Sequence, residues 1–458
     1  FYRDKSFNGD KVGDQELTLD KTTTTTYGAR FGGKIIEDKL FFFANAEIEK
    51  SSFPGIPWKP SDPENGINPN PENYISRTTL SDLSTMRNYL INQYQYDPGN
   101  YEGFGNFESN NYKLLGRIDY NINKNHKFTL RYNYVESTND QQVNATSAPL
   151  PRSTFGRIGE TSMAFENANY GFLNTVSSIT AELNSVFGSN MANKFLVTYT
   201  KIRDTRDSDS DIFPFVDIYE DGTPYMSFGY ELFTFENDVK NNVFSVTDNF
   251  SYFLGKHTIT AGVSFEHLYF GNSYKRYGTS YYRYASMADF MNNAAPTAFG
   301  ITYPYENAGD GYAELNFGWG SLYVQDEFQV NDQLKLTGGL RLEMPFYFDD
   351  LLPNSSISEL TFKDNDGNDE KLDVGSWPDP KLMISPRLGF NWDAKGDRTL
   401  QVRGGTGLFT GRLPFVWFTN QPTNSGTLQN TVEITDEETL ANLLFNPDPK
   451  AHLNKFPQ

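Results

Sequence analysis

Lys127-Phe128-Thr129-Leu130-Arg131-Tyr132-Asn133-Tyr134-Val135 alternates, one residue at a time, between large apolar rings or chains and polar groups. Successive side chains of a β-strand point to opposite faces, so Phe128, Leu130, Tyr132 and Tyr134 share one side and Thr129, Arg131 and Asn133 the other. Residues 112–122 carry a similar pattern, and only Asn123-Lys124-Asn125-His126 separates the two segments. Two alternating segments joined by so few polar residues predict an antiparallel hairpin.

Working outward, the same unit recurs. Residues 22–35 pair with 40–49 over Glu37-Asp38-Lys39, and 173–183 with 194–202. Residues 243–253 pair with 258–270 over Leu254-Gly255-Lys256-His257, 320–330 with 334–346 over Asn331-Asp332-Gln333, and 383–392 with 399–409 over residues 393–398. Between hairpins lie long polar segments near 50–110, 136–171, 203–241, 271–316 and 347–381, and then 411–458. Short and long connections therefore alternate strictly. The expected fold is all-β: a large transmembrane antiparallel up-and-down β-barrel with short periplasmic turns and long extracellular loops. Strands of ~9–11 residues match a tilted bilayer crossing, whereas soluble strands usually run ~5–6, which weighs against a secreted β-sandwich.

Composition agrees. Tyr and Phe lift the aromatic share to 16%, cysteine is absent, and no stretch approaches the ~18 apolar residues that a spanning helix needs. A net charge of −19 argues against nucleic acid as partner. Phe1-Tyr2-Arg3-Asp4 reads like the middle of an element, with no signal peptide before it, so the chain is expected to be a fragment or mature piece.

A Lys or Arg on the lipid side at mid-membrane costs roughly 2–4 kcal/mol, so Arg117, Arg131, Lys335, Arg341 and Arg403, with Glu266, are expected to face a wet lumen. Catalysis finds no foothold: His126, His257, His267 and His452 are the only histidines, and no nucleophile elbow, zinc helix motif or phosphate loop occurs. We therefore expect no enzymatic activity. Asp207, Asp209 and Asp211 within Asp207-Ser208-Asp209-Ser210-Asp211 offer hard oxygen ligands, a weak calcium candidate and the one cofactor the sequence hints at. Asp364-Asn365-Asp366-Gly367-Asn368-Asp369 offers a second, read more simply as a hairpin turn.

Ligand recognition would fall to loops and lumen, with 51–110 and 271–316 carrying specificity. Phe213, Tyr225, Tyr277, Tyr281, Tyr282 and Trp417 belong to loop segments crowded with aromatics, together with Phe415 and Phe418. Such rings stack on partly apolar ligands or partners; the competing reading is that they pack the loops together or form the interfacial girdle. A helix capped by Thr79 and running to Ile91, and another over 437–445, would fold the loops rather than span anything.

Phe7-Asn8-Gly9, then Tyr27-Gly28, Gly32-Gly33, Ile35, Lys39 and Phe41-Phe42-Phe43, resembles the early barrel of the Oar-like TonB-dependent receptors of Bacteroidetes. Arg117, Asp119-Tyr120, Ile122, His126 and Arg131-Tyr132 are similar to its next hairpin. Tyr323-Val324-Gln325-Asp326-Glu327, Ser385-Pro386-Arg387-Leu388-Gly389-Phe390 and Arg403-Gly404-Gly405 with Gly407, Phe409 and Gly411 are similar to later strands. The resemblance implies a barrel of about 22 strands when complete, within the range known for outer-membrane barrels. It further implies a plug in the lumen touching residues such as Arg117 and Arg403, with that plug domain and the C-terminal strands expected outside this chain, and import driven through TonB, ExbB and ExbD, with a surface lipoprotein or another outer-membrane protein as a further partner. A surface adhesion or assembly role through the loops, and a passive porin-like channel, remain the alternatives.

Overall fold

The computed structural model describes residues 2–4, 6, 11–12, 15–16, 22–411 and 414–457; Phe7-Asn8-Gly9 and Phe1, quoted above, lie outside the described residues. All six hairpins form, and their strands join one antiparallel sheet of 13 strands in sequence order, from Tyr2–Arg3 to Gln401–Gly407. These two edge strands are not paired with one another among the described residues. No described helix is long and apolar enough to cross a membrane.

The ladder runs well past the expected strand ends. Phe107–Asn121, His126–Gln141, Tyr170–Phe187, Met191–Asp207, Asp238–Leu254 and His257–Ser273 hold 15 to 18 residues each. A bilayer crossing uses ~9–11. The surplus lies on the loop side, where Thr138, Asn139 and Asp140 continue the pairing with Leu173, Phe172 and Gly171. The opposite ends close tightly. Gly255, at φ +60°, turns the fourth hairpin, a conformation that costs glycine little. In the fifth, the Asn331 Oδ1 accepts the Gln333 and Leu334 amides at 2.9 Å.

Register sorts the side chains into two surfaces. One cross-sheet row reads Phe42, Ile118, Leu130, Ala181, Val197, Val246, Phe265, Gly320, Met344. The adjacent row, one residue along each strand, reads Phe43, Arg117, Arg131, Thr180, Thr198, Ser245, Glu266, Trp319, Pro345. Paired residues share a face and neighbours along a strand do not, so one face of the sheet is oily and the other polar. The oily face is bare: Phe31, Leu322 and Leu388 on it are 71%, 60% and 66% exposed. Carboxylates near the strand ends, such as Asp326 and Glu136, share that face, and one lies farther in. Asp248 sits on that face between Phe195 and Val263, where the Asn193 amide donates to it at 2.6 Å.

The long segments do not dangle. Pieces of four of them form a six-stranded sheet in the order Met163–Ala164, Thr223–Phe228, Phe215–Glu220, Tyr281–Tyr284, Ala298–Pro304, Gln429–Ile434. The helix Leu80–Tyr94, capped by the Thr79 hydroxyl, contributes Leu83, Met86 and Leu90 to a core shared with Phe213, Val216, Tyr282, Phe290 and Phe445. The helix expected over 437–445 is confined to Glu437–Leu440, and a further helix forms at Phe415–Asn424. The loops thus build a second hydrophobic core of their own at one end of the long strands.

Candidate functional site

Many charges of the polar face stand in pairs. Lys113 reaches Glu47 at 2.7 Å, Arg117 reaches Asp119 at 2.8 Å, Lys194 reaches Glu182 at 3.3 Å and Arg341 reaches Glu343 at 2.9 Å. Lys335 reaches Glu327 at 2.7 Å, and an Arg403 N–H donates to the Gln401 side chain at 2.7 Å. All six charged residues read from the sequence lie on this face. Arg117, Arg131 and Glu266 share the row given above, Arg341 pairs with Tyr323 and Ser385 in register, and Lys335 connects through Asn391 to Arg403. Compensated pairs give a surface that is hydrophilic yet carries little local field, suited to water and to polar protein surface.

The aromatic expectation needs correction for five of six rings. Phe213, Tyr225, Tyr277, Tyr281 and Tyr282 are at most 5% exposed and pack the loops onto one another. Phe213 stacks on Tyr96 with centroids 4.0 Å apart, and Tyr282 meets Phe299 and Phe445. Burying rings of this size gives the largest apolar gain available to a loop assembly, so they are spent on folding before any ligand arrives. Trp417 alone is open, at 62% exposure on the Phe415–Asn424 helix.

The aspartate run forms no metal cluster: among the described residues no three His, Asp or Glu groups converge. Asp207, Asp209 and Asp211 point to solvent while Ser208 and Ser210 turn inward, Ser210 meeting the Tyr96 hydroxyl at 2.8 Å. Asp364 to Asp369 is a turn between two short strands, the Asp364 carboxylate accepting the Asp366 and Asn368 amides at 2.9 and 2.8 Å.

The sequence reading missed the ion pair at the heart of the loops. Arg157 holds Asp217 through two hydrogen bonds of 2.8 and 2.7 Å, with both side chains almost wholly buried. The Ser227 and Tyr281 hydroxyls also donate to Asp217, and Arg157 donates to the carbonyls of Asn144 and Ser147. Burial works against the Asp217 charge, but the guanidinium and both hydroxyls outweigh it and hold the carboxyl below its ordinary value. Glu231 is the opposite case. Burial raises its carboxyl, and the nearest cation, Arg206, stands 4.0 Å away. Nothing in the spacing of Arg157 and Asp217 marks them as partners, since 60 residues and a different loop separate them.

A sheet whose one face needs hydrocarbon and whose other needs water is the wall of a membrane-spanning β-barrel protein. The outer membrane beta barrel domain family matches residues 1–457, and the chain belongs to that family and resides in the outer membrane. Among solved structures, the outer membrane transporter YddB from Escherichia coli is similar over 93% of this chain and 43% of its own, at 13% identity and a TM-score of 0.52. The siderophore receptor PirA from Acinetobacter baumannii is similar over 89% and 42%, at 11% identity and a TM-score of 0.43. The chain thus spans less than half the length of either. No curated protein matches.

Proposed function

We propose that this chain is barrel wall and extracellular loops of a TonB-dependent outer-membrane receptor of the Oar-like type, importing a substrate through a plugged lumen. The observation that carries the reading is the pair of adjacent rows, one wholly apolar and one holding Arg117, Arg131 and Glu266. An inner surface of paired charges suits a plug, which can exchange those bonds for its own, and a complete barrel of about 22 strands is wide enough to house one. In this reading Arg117, Arg131, Glu266, Lys335, Arg341 and Arg403 hold the plug and line the path, and the coupling partners are TonB, ExbB and ExbD. The likeness to a transporter of the same membrane supports the fold part of this reading.

Deleting the whole gene in its native host and measuring uptake of radiolabelled nutrients tests it. The expected result is loss of one uptake activity that a protonophore also abolishes in wild-type cells. The full-length protein conducting small solutes freely in planar bilayers, with no uptake lost on deletion, would replace the receptor with a passive channel.

A further inference from the structure

A cavity of about 310 Å3 lies where the polar face meets the loops. Phe317 and Trp319 from Ala313–Gln329 and Pro345 and Tyr347 from Leu334–Tyr347 form its floor, with Trp377 from the 347–381 loop and Phe418 from the Phe415–Asn424 helix as walls. One hairpin and two long connections therefore meet around one void. Its size is at the small end of the ~300–1,000 Å3 usual for ligand pockets.

The walls are held in place before a ligand arrives. Trp377 lies flat on Tyr347, centroids 4.6 Å apart and planes 7° from parallel, and its indole N–H donates to the Asp349 carbonyl at 2.6 Å. The Trp319 N–H is likewise taken, by Glu343 at 3.1 Å. With both indole donors engaged, the tryptophans offer ring faces rather than hydrogen bonds. Polar reach comes from the rim, where exposed Asp379 and Lys381 stand two residues apart and form no ion pair with a described residue.

That combination selects its occupant. Electron-rich ring faces attract the polarised C–H face of a saturated ring. A carboxylate and an ammonium on one rim accept from and donate to hydroxyls, while any net charge on the ligand would meet one like-signed group. Resting on the receptor reading above, we infer that this cavity is a recognition site for a neutral carbohydrate residue. It lies on segments 347–381 and 411–458, not on the 51–110 and 271–316 segments expected to carry specificity.

The test titrates the purified full-length protein in detergent, by calorimetry and tryptophan fluorescence, with glucose, galactose, mannose, N-acetylglucosamine and their disaccharides, with sialic acid, glucosamine and catechol alongside. Saturable binding of at least one neutral sugar is expected, weakened tenfold or more in Trp377→Ala and Phe418→Ala and less in Trp377→Phe, which keeps a ring. Asp379→Asn should admit sialic acid that the native protein rejects. Heat-dependent gel mobility, unchanged in each variant, shows that the barrel has folded. The site is overturned if no neutral sugar saturates, if catechol binds more tightly than every sugar, or if the alanine variants bind as the native protein does. Sugar binding with uptake unaffected by gene deletion would sink the receptor reading and leave the site standing. Energised uptake of a non-carbohydrate alone, with no sugar bound, would do the reverse.

Discussion

Asp217 is a carboxylate that the loops cannot lose cheaply. Its two oxygens accept four hydrogen bonds, from Arg157, Ser227 and Tyr281, inside a core that admits almost no water. Replacing such a pair by apolar groups can be harmless, but removing one partner strands the other charge, at a cost of roughly 3–5 kcal/mol. Asp217→Ala should therefore open the loop assembly far more often, read as faster amide exchange in Phe215–Glu220 and Tyr281–Tyr284 with the long strands unchanged. Equal exchange in both proteins would remove the pair from the account. The pH dependence has a definite sign. A carboxyl held below its ordinary value stabilises the folded form at any pH above the unfolded value, about 3.9, and that contribution disappears as pH falls through the still lower folded value. Exchange protection of these loop strands, followed in the intact protein, should stay level from neutrality to about pH 4 and decline only below it as far as this group is concerned.

The Leu80–Tyr94 helix shows what an element can announce and what it cannot. Thr79 as cap and the helical spacing of Leu83 and Leu90 were legible, and the structure adds only three residues beyond Ile91, ending at Gln95 in the left-handed region. Its docking partners were not, because Phe213, Val216, Tyr282 and Phe445 come from three other loops. The long hairpins were legible for a different reason. Each has one oily and one wet face, which writes a period of two into the sequence. The loop strands have no such contrast. In Phe213-Pro214-Phe215-Val216-Asp217-Ile218 every residue is buried, Asp217 as the carboxylate among them, so apolar residues run on without alternation and their rings read as free to meet a ligand. Leu83→Ala tests the coupling of helix to loop sheet. A buried Leu to Ala change costs about 2–5 kcal/mol. Limited proteolysis of the folded protein should then cut the loops sooner while leaving a protease-resistant barrel, whereas cleavage at the native rate would mean that the helix is not part of that core.

At the scale of the molecule, everything depends on which side of the sheet meets which solvent. Ser245 and Val246 are neighbours on one mid-sheet strand, yet they stand in the two rows of opposite character. Ser245 pairs with Thr198 and Glu266, Val246 with Val197 and Phe265. A cation at Val246 would lie among apolar side chains about midway along Asp238–Leu254. Because the surplus of that strand lies on the loop side, Val246 stands outward of the bilayer midplane, and the cost there should fall between the roughly 2–4 kcal/mol of the midplane and the ~0–1 kcal/mol of the interface. A cation at Ser245 would face water or a polar plug and stand beside a carboxylate, so its cost should stay within ~0.5 kcal/mol, as for ordinary surface changes. Urea-driven unfolding of Val246→Arg and Ser245→Arg in lipid vesicles, each made in the full-length protein, compares the two directly. Greater loss in Val246→Arg places hydrocarbon against the row of Ile118, Leu130 and Phe265. The reverse order would put that row in the lumen, and paired charges such as Arg117 with Asp119 would then have to lie in lipid, at a cost that an outer-membrane barrel avoids.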